Sequence, residues 1–526
     1  MTGRRLIIGM AVLLLAAACG QKENLPAPVP VPVLRSITVL QDSLVLADNG
    51  TVELPFTVKD PDYTFSSILL QTGAGTPPEE FAVQQIVPSE GAGNYTAVLK
   101  DAGLRKKYNR QVYLSISQRN ADTGVESFVT SAFFQVSSER QGPETGLSVV
   151  FINTENGQEI VSKTDYLPAE IRIFGEGEYE NLPPVSCSVR GRGNTTWWWP
   201  KKPYAIKLDQ KTSILGMPKH KRWVLLANFM DRTLMRNLVS MKVASLTRLD
   251  WTPRCVPVEL VLNGKHQGSY LLIEQVKVDK NRVPVADDGY LLECDFHYDN
   301  EIQWTDPYGH NNQWGNGIPF GVKYPEPEDI TPEQLSYIQQ YISETATVLY
   351  GEDFSDPENG YAKYLDVDSF VDYWLVFEVM CNHELGNPGS VYMHMDPGGR
   401  LIAGPCWDFD WGILSFYTSA GENNLVNAKA IWYERLFQDP VFKEKVRARF
   451  QELLPQLQAI PAYMDECEAL LTESARLNFQ LWNPADDRSQ NGGNIINGDE
   501  NLSFHNAVKR LKDNYNRHLQ VMAGQL

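Results

Sequence analysis

Residues 404–412 read GPCWDFDWG, which places Asp408 and Asp410 one residue apart between Trp407 and Trp411. Carboxylates in apolar surroundings are costly unless a cation shares their site. Hard carboxylate oxygens suit magnesium or manganese better than zinc. A second stretch, RGRGNTTWWWPKKPYAIKLD, supplies the opposite charge. Arg190 and Arg192 offer forked donors beside Asn194, Lys201, Lys202 and Lys207 add point charges, and Gly191 and Gly193 let backbone approach a ligand. Downstream, LANFMDRTLMRN adds Asp231, Arg232, Arg236 and Asn237, with Arg232 and Arg236 one helical turn apart. Together the two segments predict an anionic ligand, and phosphate fits such donors. A basic turn whose charges pair with nearby carboxylates accounts for the first segment equally well when it is taken alone.

The elements around these residues change character along the chain. Short β-rich runs such as SITVLQDSLVLA, TVELPFTVKD, YTAVLK and RQVYLSISQ fill residues 34–140, separated by Asn, Gly, Asp and Pro. They predict a small all-β, Ig-like sandwich of about seven strands. After SSERQGPETG a larger region runs from 145 to 526, with strands first (LSVVFINTEN, AEIRIFG, VSCSVRGRG, YAIKLD, RWVLLAN, CVPVELVLNG, GSYLLIEQV, GYLLECDF) and helices later. TPEQLSYIQQYISETATVLYG carries Thr331 as an N-cap, DVDSFVDYWLVFEVMCN is apolar on most faces, and SFHNAVKRLKDNYNRHLQVMAG closes the chain. Strands followed by helices predict an α+β domain. If the segment holding Asp408 and Asp410 is extended, their spacing puts both on one face.

The first residues point to export. Arg4 and Arg5 precede an apolar run from Leu6 to Leu15 and small residues leading to Cys19, the pattern of a lipoprotein signal over 1–18 with the anchor on Cys19. The apolar run is too short to span a membrane. Residues 19–33 form a proline-rich linker that acts as a semi-rigid stalk. The other six cysteines are widely spaced and read as buried small hydrophobes. A formal charge of −18 argues against nucleic acid as a partner.

The motifs RGRGNTTWWWPKKPYAIKL, ILGMPKHKRWVLLANFMDRTLMRN, VPVELVLNGKHQGSYLLIEQVKVDKNRV, FGVKYPEPEDITPEQ and AGPCWDFDWG resemble, in order and spacing, the CotH (spore coat protein H) kinase family. The lipoprotein signal and β-sandwich prefix are similar to those of CotH-domain proteins from Bacteroidota. The resemblance implies an atypical protein-kinase-like fold that uses ATP and Mg2+ or Mn2+ to phosphorylate Ser or Thr of secreted or surface proteins. It implies Asp408 as the metal-binding aspartate, with Asp410 as second ligand or partner. Arg190, Arg192, Asn194, Lys202, Lys207 and Arg236 become the expected nucleotide- and phosphate-binding residues. The family's upstream catalytic aspartate has no match here, since the window NHELGNPGSV holds Glu384 as its only carboxylate. Glu384 is therefore the expected catalytic carboxylate, as base or as the group that orients the acceptor hydroxyl, with Asn382, His383 and Asn387 available to position a hydroxyl.

An exported chain on the cell envelope meets little ATP, so three readings stand at this point. The chain is a membrane-anchored kinase, a nucleotide-binding pseudokinase, or a surface lipoprotein that binds glycans or proteins through its sandwich and its tryptophans, Trp197, Trp198 and Trp199.

Overall fold

A computed structural model describes residues 37–41, 43–46, 51–59, 67–72, 82–100, 109–119, 126–132, 134–138, 142–297, 300–311, 315–415, 424–483, 497–499 and 501–526. The expected signal, the linker and Cys19 lie outside the described residues. The chain divides into two compact units, the larger of which carries Ser138–Leu526.

The smaller unit is all β. Its strands form one four-stranded and one five-stranded sheet. Pairs such as Ser67–Thr72 with Asn109–Arg119 run antiparallel. Leu54, Phe56, Ala97 and Leu114 are buried, and Phe56 stacks on Tyr95.

The larger unit mixes sheets and helices, as an α+β domain does, but it begins with a closed barrel that strand counting alone does not reveal. Seven strands close it, in the order Ser148–Thr154, Leu167–Phe174, Leu182–Gly191, Tyr204–Ile214, Met217–Leu226, Lys265–Glu274, Cys255–Leu262. Six of the seven contacts are antiparallel, and the closing contact pairs Ser148–Thr154 with Cys255–Leu262 in parallel. Period-two alternation sends Val189, Ile206, Leu208, Leu225 and Leu272 into a common core. A residue between two inward ones must face outward, and Lys207, between Ile206 and Leu208, is exposed.

A second sheet follows, in the order Gln303–Asn311, Gly315–Tyr324, Tyr290–Cys294, Val391–Met395, Ile402–Ala403. Helix Val367–Val379 is buried from Ser369 onward, which explains an apolar pattern on most of its faces. Helix Pro332–Leu349 starts at Thr331, whose hydroxyl accepts the Gln334 N–H while the Gln334 side chain accepts the Thr331 N–H. Helices Pro440–Leu457, Ile460–Leu481 and Phe504–Gln525 complete the unit. All six described cysteines are free, and all but Cys255 are buried, so they act as core residues.

Candidate active site

The acidic pair sits in a loop, not on a strand. Only Ile402–Ala403 precede it as strand, and Asp408 has φ 65°, a left-handed conformation that Asp tolerates better than most residues. The condition of an extended segment, under which spacing alone would put both on one face, is not met. The outcome for the carboxylates is nonetheless convergence, because Phe409 between them is fully buried while Asp408 and Asp410 both line one cleft of about 670 Å³.

Three side chains from distant elements hold this loop by its backbone. Asn237, near the start of helix Arg236–Ala244, accepts the Phe409 N–H at 2.8 Å. Asn382 donates to the Asp408 carbonyl at 3.5 Å, and Asn497 donates to the Asp410 carbonyl at 3.3 Å. The carboxylate groups themselves are left uncommitted. Among the described residues the side chains of Asp408, Asp410 and Glu384 make no hydrogen bond and no ion pair.

Glu384 lies in the short turn His383–Leu385 beyond helix Val367–Val379, and Asn382 also accepts its N–H at 2.9 Å. One asparagine therefore ties the Glu384 turn to the Asp408 loop. Burial raises the Glu384 carboxyl well above its ordinary range, and the charges of Asp408, Asp410 and Asp295 push it the same way. Burial also raises Asp408, against the pull of Arg192. Asp410 is pushed up to about 8, by burial first and by Asp408 second. These are acids assembled at a cost, the arrangement expected where a cation is to be bound.

The residues expected to meet phosphate, with Lys201, divide into two groups. Arg190, Arg192, Asn194 and Lys201 line the cleft with the acids. Lys202, Lys207 and Arg236 do not. Lys202 donates to the Trp197 carbonyl at 2.7 Å and lies over the Trp197 ring. Lys207 faces outward from the barrel. Arg236 is fully buried in an ion pair with Asp231, a second with Asp499 at 2.9 Å, and a hydrogen bond to the Ile413 carbonyl at 2.9 Å. Burial opposes its charge, but Asp499 and Asp231 outweigh that and raise its pKa. Its function is to fasten the helix start to the loop after Asp410, so the expectation that it meets phosphate is corrected.

Within the cleft group, Arg190 donates to the Lys163 carbonyl and packs over Tyr166. Lys201 is 1% exposed, donates to the Ser269 carbonyl and to Asn478 at 2.8 Å, and is brought down to about 7 by burial. Arg192 lies 5.5 Å over the Trp407 ring, and its charge acts on both Asp408 and Asp410. The glycines serve the turn itself. A Cβ on Gly191 would meet the Trp197 ring at 2.2 Å, and Gly193 has φ 86° with Thr196 at 2.0 Å from such an atom. Of the three tryptophans, Trp199 is buried against Phe229 and only Trp198 is exposed, at 67%.

Sequence reading missed the opposite wall. Glu293, the residue before the end of the strand Tyr290–Cys294, accepts from Tyr392 at 2.7 Å and pairs with Lys323 at 3.0 Å. Asp295 accepts from His297 at 2.9 Å. The run LLECDFH carried the acids, but only the antiparallel pairing of Glu293 with Tyr392 turns them toward Asp408.

The hard oxygen donors fit a divalent cation. Among the described residues no group of three or more His, Cys, Asp or Glu converges closely enough to hold a metal unaided. Magnesium is typically bound by one or two carboxylates together with substrate phosphates.

Comparison with known proteins agrees with the motif order. No curated protein matches the chain. Fifteen chains of solved structures do; one is a marsupial T cell receptor, 9% identical, covering 33% of this chain and 90% of its own, with a TM-score of 0.15, too low to bear on the fold. A family model described as CotH kinase protein matches residues 189–522. That is more than half of the chain, and it includes every residue lining the cleft except Lys163 and Thr164. The chain belongs to the CotH kinase protein family.

Proposed function

We propose that the larger unit is an atypical, kinase-like protein kinase that transfers the terminal phosphoryl group of ATP to Ser or Thr hydroxyls of secreted or surface proteins. The observation that carries this reading is the meeting of Asp408, Asp410 and Glu384 in one cleft opposite Arg192. Phosphoryl transfer needs charge neutralisation and positioning more than covalent chemistry. Asp408 and Asp410 are the residues that would hold Mg2+ or Mn2+, which supplies neutralising charge to phosphate oxygens. Arg192 offers a fork of donors to the same oxygens. Leu226, Val276, Leu291 and Val322 give the cleft an apolar stretch suited to a nucleobase. Glu384, in its ionised form, orients the acceptor hydroxyl or takes its proton. We further read the chain as tethered to the cell envelope through lipid on Cys19, with the smaller unit as an Ig-like spacer.

The pseudokinase reading draws on one observation, the strong preference of Glu384 for its protonated form in a crowded acidic pocket. A labelling experiment separates the two. The purified protein with manganese and γ-labelled ATP should label itself or a generic Ser/Thr acceptor, and Asp408→Ala should abolish both ATP binding and labelling. Metal-dependent ATP binding without any label would establish the pseudokinase.

A further inference from the structure

We infer that Lys163 is a phosphate-binding side chain of the cleft, supplied by a segment that precedes the region matched by the family. This deepens the proposed function and rests on its nucleotide reading.

Several of the cations in the cleft are already committed to other groups. Six Lys and Arg side chains line the cleft: Lys163, Arg190, Arg192, Lys201, Lys277 and Lys323. Lys277 pairs with Glu326 at 2.6 Å and Lys323 with Glu293 at 3.0 Å. Lys201 is buried and committed to the Ser269 carbonyl and to Asn478, whereas Arg190 gives the Lys163 carbonyl only part of its five-donor fork and its Nε has no partner among the described residues. Arg190, Arg192 and Lys163 remain. Among the described residues none of the three has a carboxylate within ion-pair distance. In a chain with a formal charge of −18, a half-buried ammonium facing a cleft without an acid partner is unusual. Among the described residues its ammonium has one partner, which is neutral: Lys163 Nζ donates to Asn194 Oδ1 at 3.3 Å. An ammonium has three donors, so two stay available to phosphate oxygens.

The placement of Lys163 is built by its neighbours. The Gly191 N–H donates to the Ser162 carbonyl at 2.8 Å, and Arg190 donates to the Lys163 carbonyl. Two successive carbonyls of the loop are thus clamped to the turn that carries Arg192 and Asn194. The loop cannot swing away without releasing both bonds. Charge also requires a second cation here. A nucleoside triphosphate with one divalent ion between two aspartates retains net negative charge, which Arg192 alone does not neutralise. Lys163 and Arg192 together form the positive side of a site whose negative side is Asp408 and Asp410.

The test uses the whole protein with manganese and two probes, ATP and inorganic tripolyphosphate, measured by calorimetry, with melting temperature as the check on folding. Lys163→Met should weaken both probes by roughly tenfold or more, the usual worth of a charge-assisted hydrogen bond, and flatten the salt dependence of binding. Lys163→Arg, which keeps the charge and the donors, should return both affinities to within about threefold of wild type. Unchanged affinity for both probes in Lys163→Met would overturn the inference while leaving the nucleotide reading intact. Wild-type protein that binds neither probe would overturn both. If Lys163→Met melts early, Lys163→Arg decides the matter: wild-type melting with tenfold weaker tripolyphosphate binding would also overturn the role assigned here.

Discussion

Asn237 Oδ1 accepts the Phe409 N–H at 2.8 Å, so a side chain at the start of a buried helix holds the Asp408–Phe409 peptide, the first of the two that separate Asp408 from Asp410. The amide is specific in this place. It accepts from Phe409 while its own nitrogen donates to Asn228 at 3.4 Å, a division of labour that neither Asp nor Leu reproduces. Asn237→Ala should lower stability by about 1–3 kcal/mol, the cost of an unpaired buried N–H. Denaturant unfolding would measure that, and metal-dependent ATP affinity should fall as the aspartates lose their spacing.

Arg236 should behave as a structural residue. Arg236→Met leaves Asp231 and Asp499 as buried carboxylates without their cation, a loss of about 3–5 kcal/mol by analogy with other broken buried pairs. Circular dichroism and melting should reveal this before any ligand is added. A well-folded variant with weakened ATP binding would instead restore Arg236 to the phosphate-binding set.

Metal response should depend on pH in a defined direction. Asp410 is held up to about 8 in the folded chain against an ordinary 3.8. Between those values the folded state binds the extra proton, so its stability falls as pH rises toward 8. A divalent cation competes with that proton and replaces the lost stabilisation. The rise in melting temperature on adding manganese should therefore be larger at pH 8.5 than at pH 6. Asp410→Asn should remove most of the difference.

Glu384 separates chemistry from binding. Glu384→Gln keeps the shape and the backbone N–H donated to Asn382 but cannot accept a proton. ATP affinity should stay within about threefold of wild type while phosphoryl transfer falls at least a hundredfold, the range for losing a general base. Because a repelled acid is also removed from beside Asp408, a small gain in metal affinity is expected. Equal transfer by both proteins would exclude Glu384 as the base.

Local patterns decided a good deal. The Thr331 cap, the buried helix Val367–Val379, the barrel strands and the core role of the cysteines follow from side-chain type and periodicity acting over a few residues. Lys207 is among the residues expected at the phosphate site, yet alternation between Ile206 and Leu208 sends it outward, away from the cleft. Other features depend on contacts between residues far apart in the chain. Arg232 and Arg236 look alike at helical spacing, yet Arg236 is buried by Asp499, 263 residues away, whereas Arg232 reaches the Leu502 carbonyl at 2.9 Å. A cation's role depends on which acid the fold brings to it, and sequence spacing does not carry that information. The same holds for Glu293, Asp295 and Lys163, which belong to the cleft only because a barrel closes and a sheet pairs Glu293 with Tyr392. Composition and motif determined that this chain carries opposed clusters of charge. Tertiary structure alone decided which of those charges are satisfied by each other and which are left for a ligand, because desolvation and partner distance are set by packing.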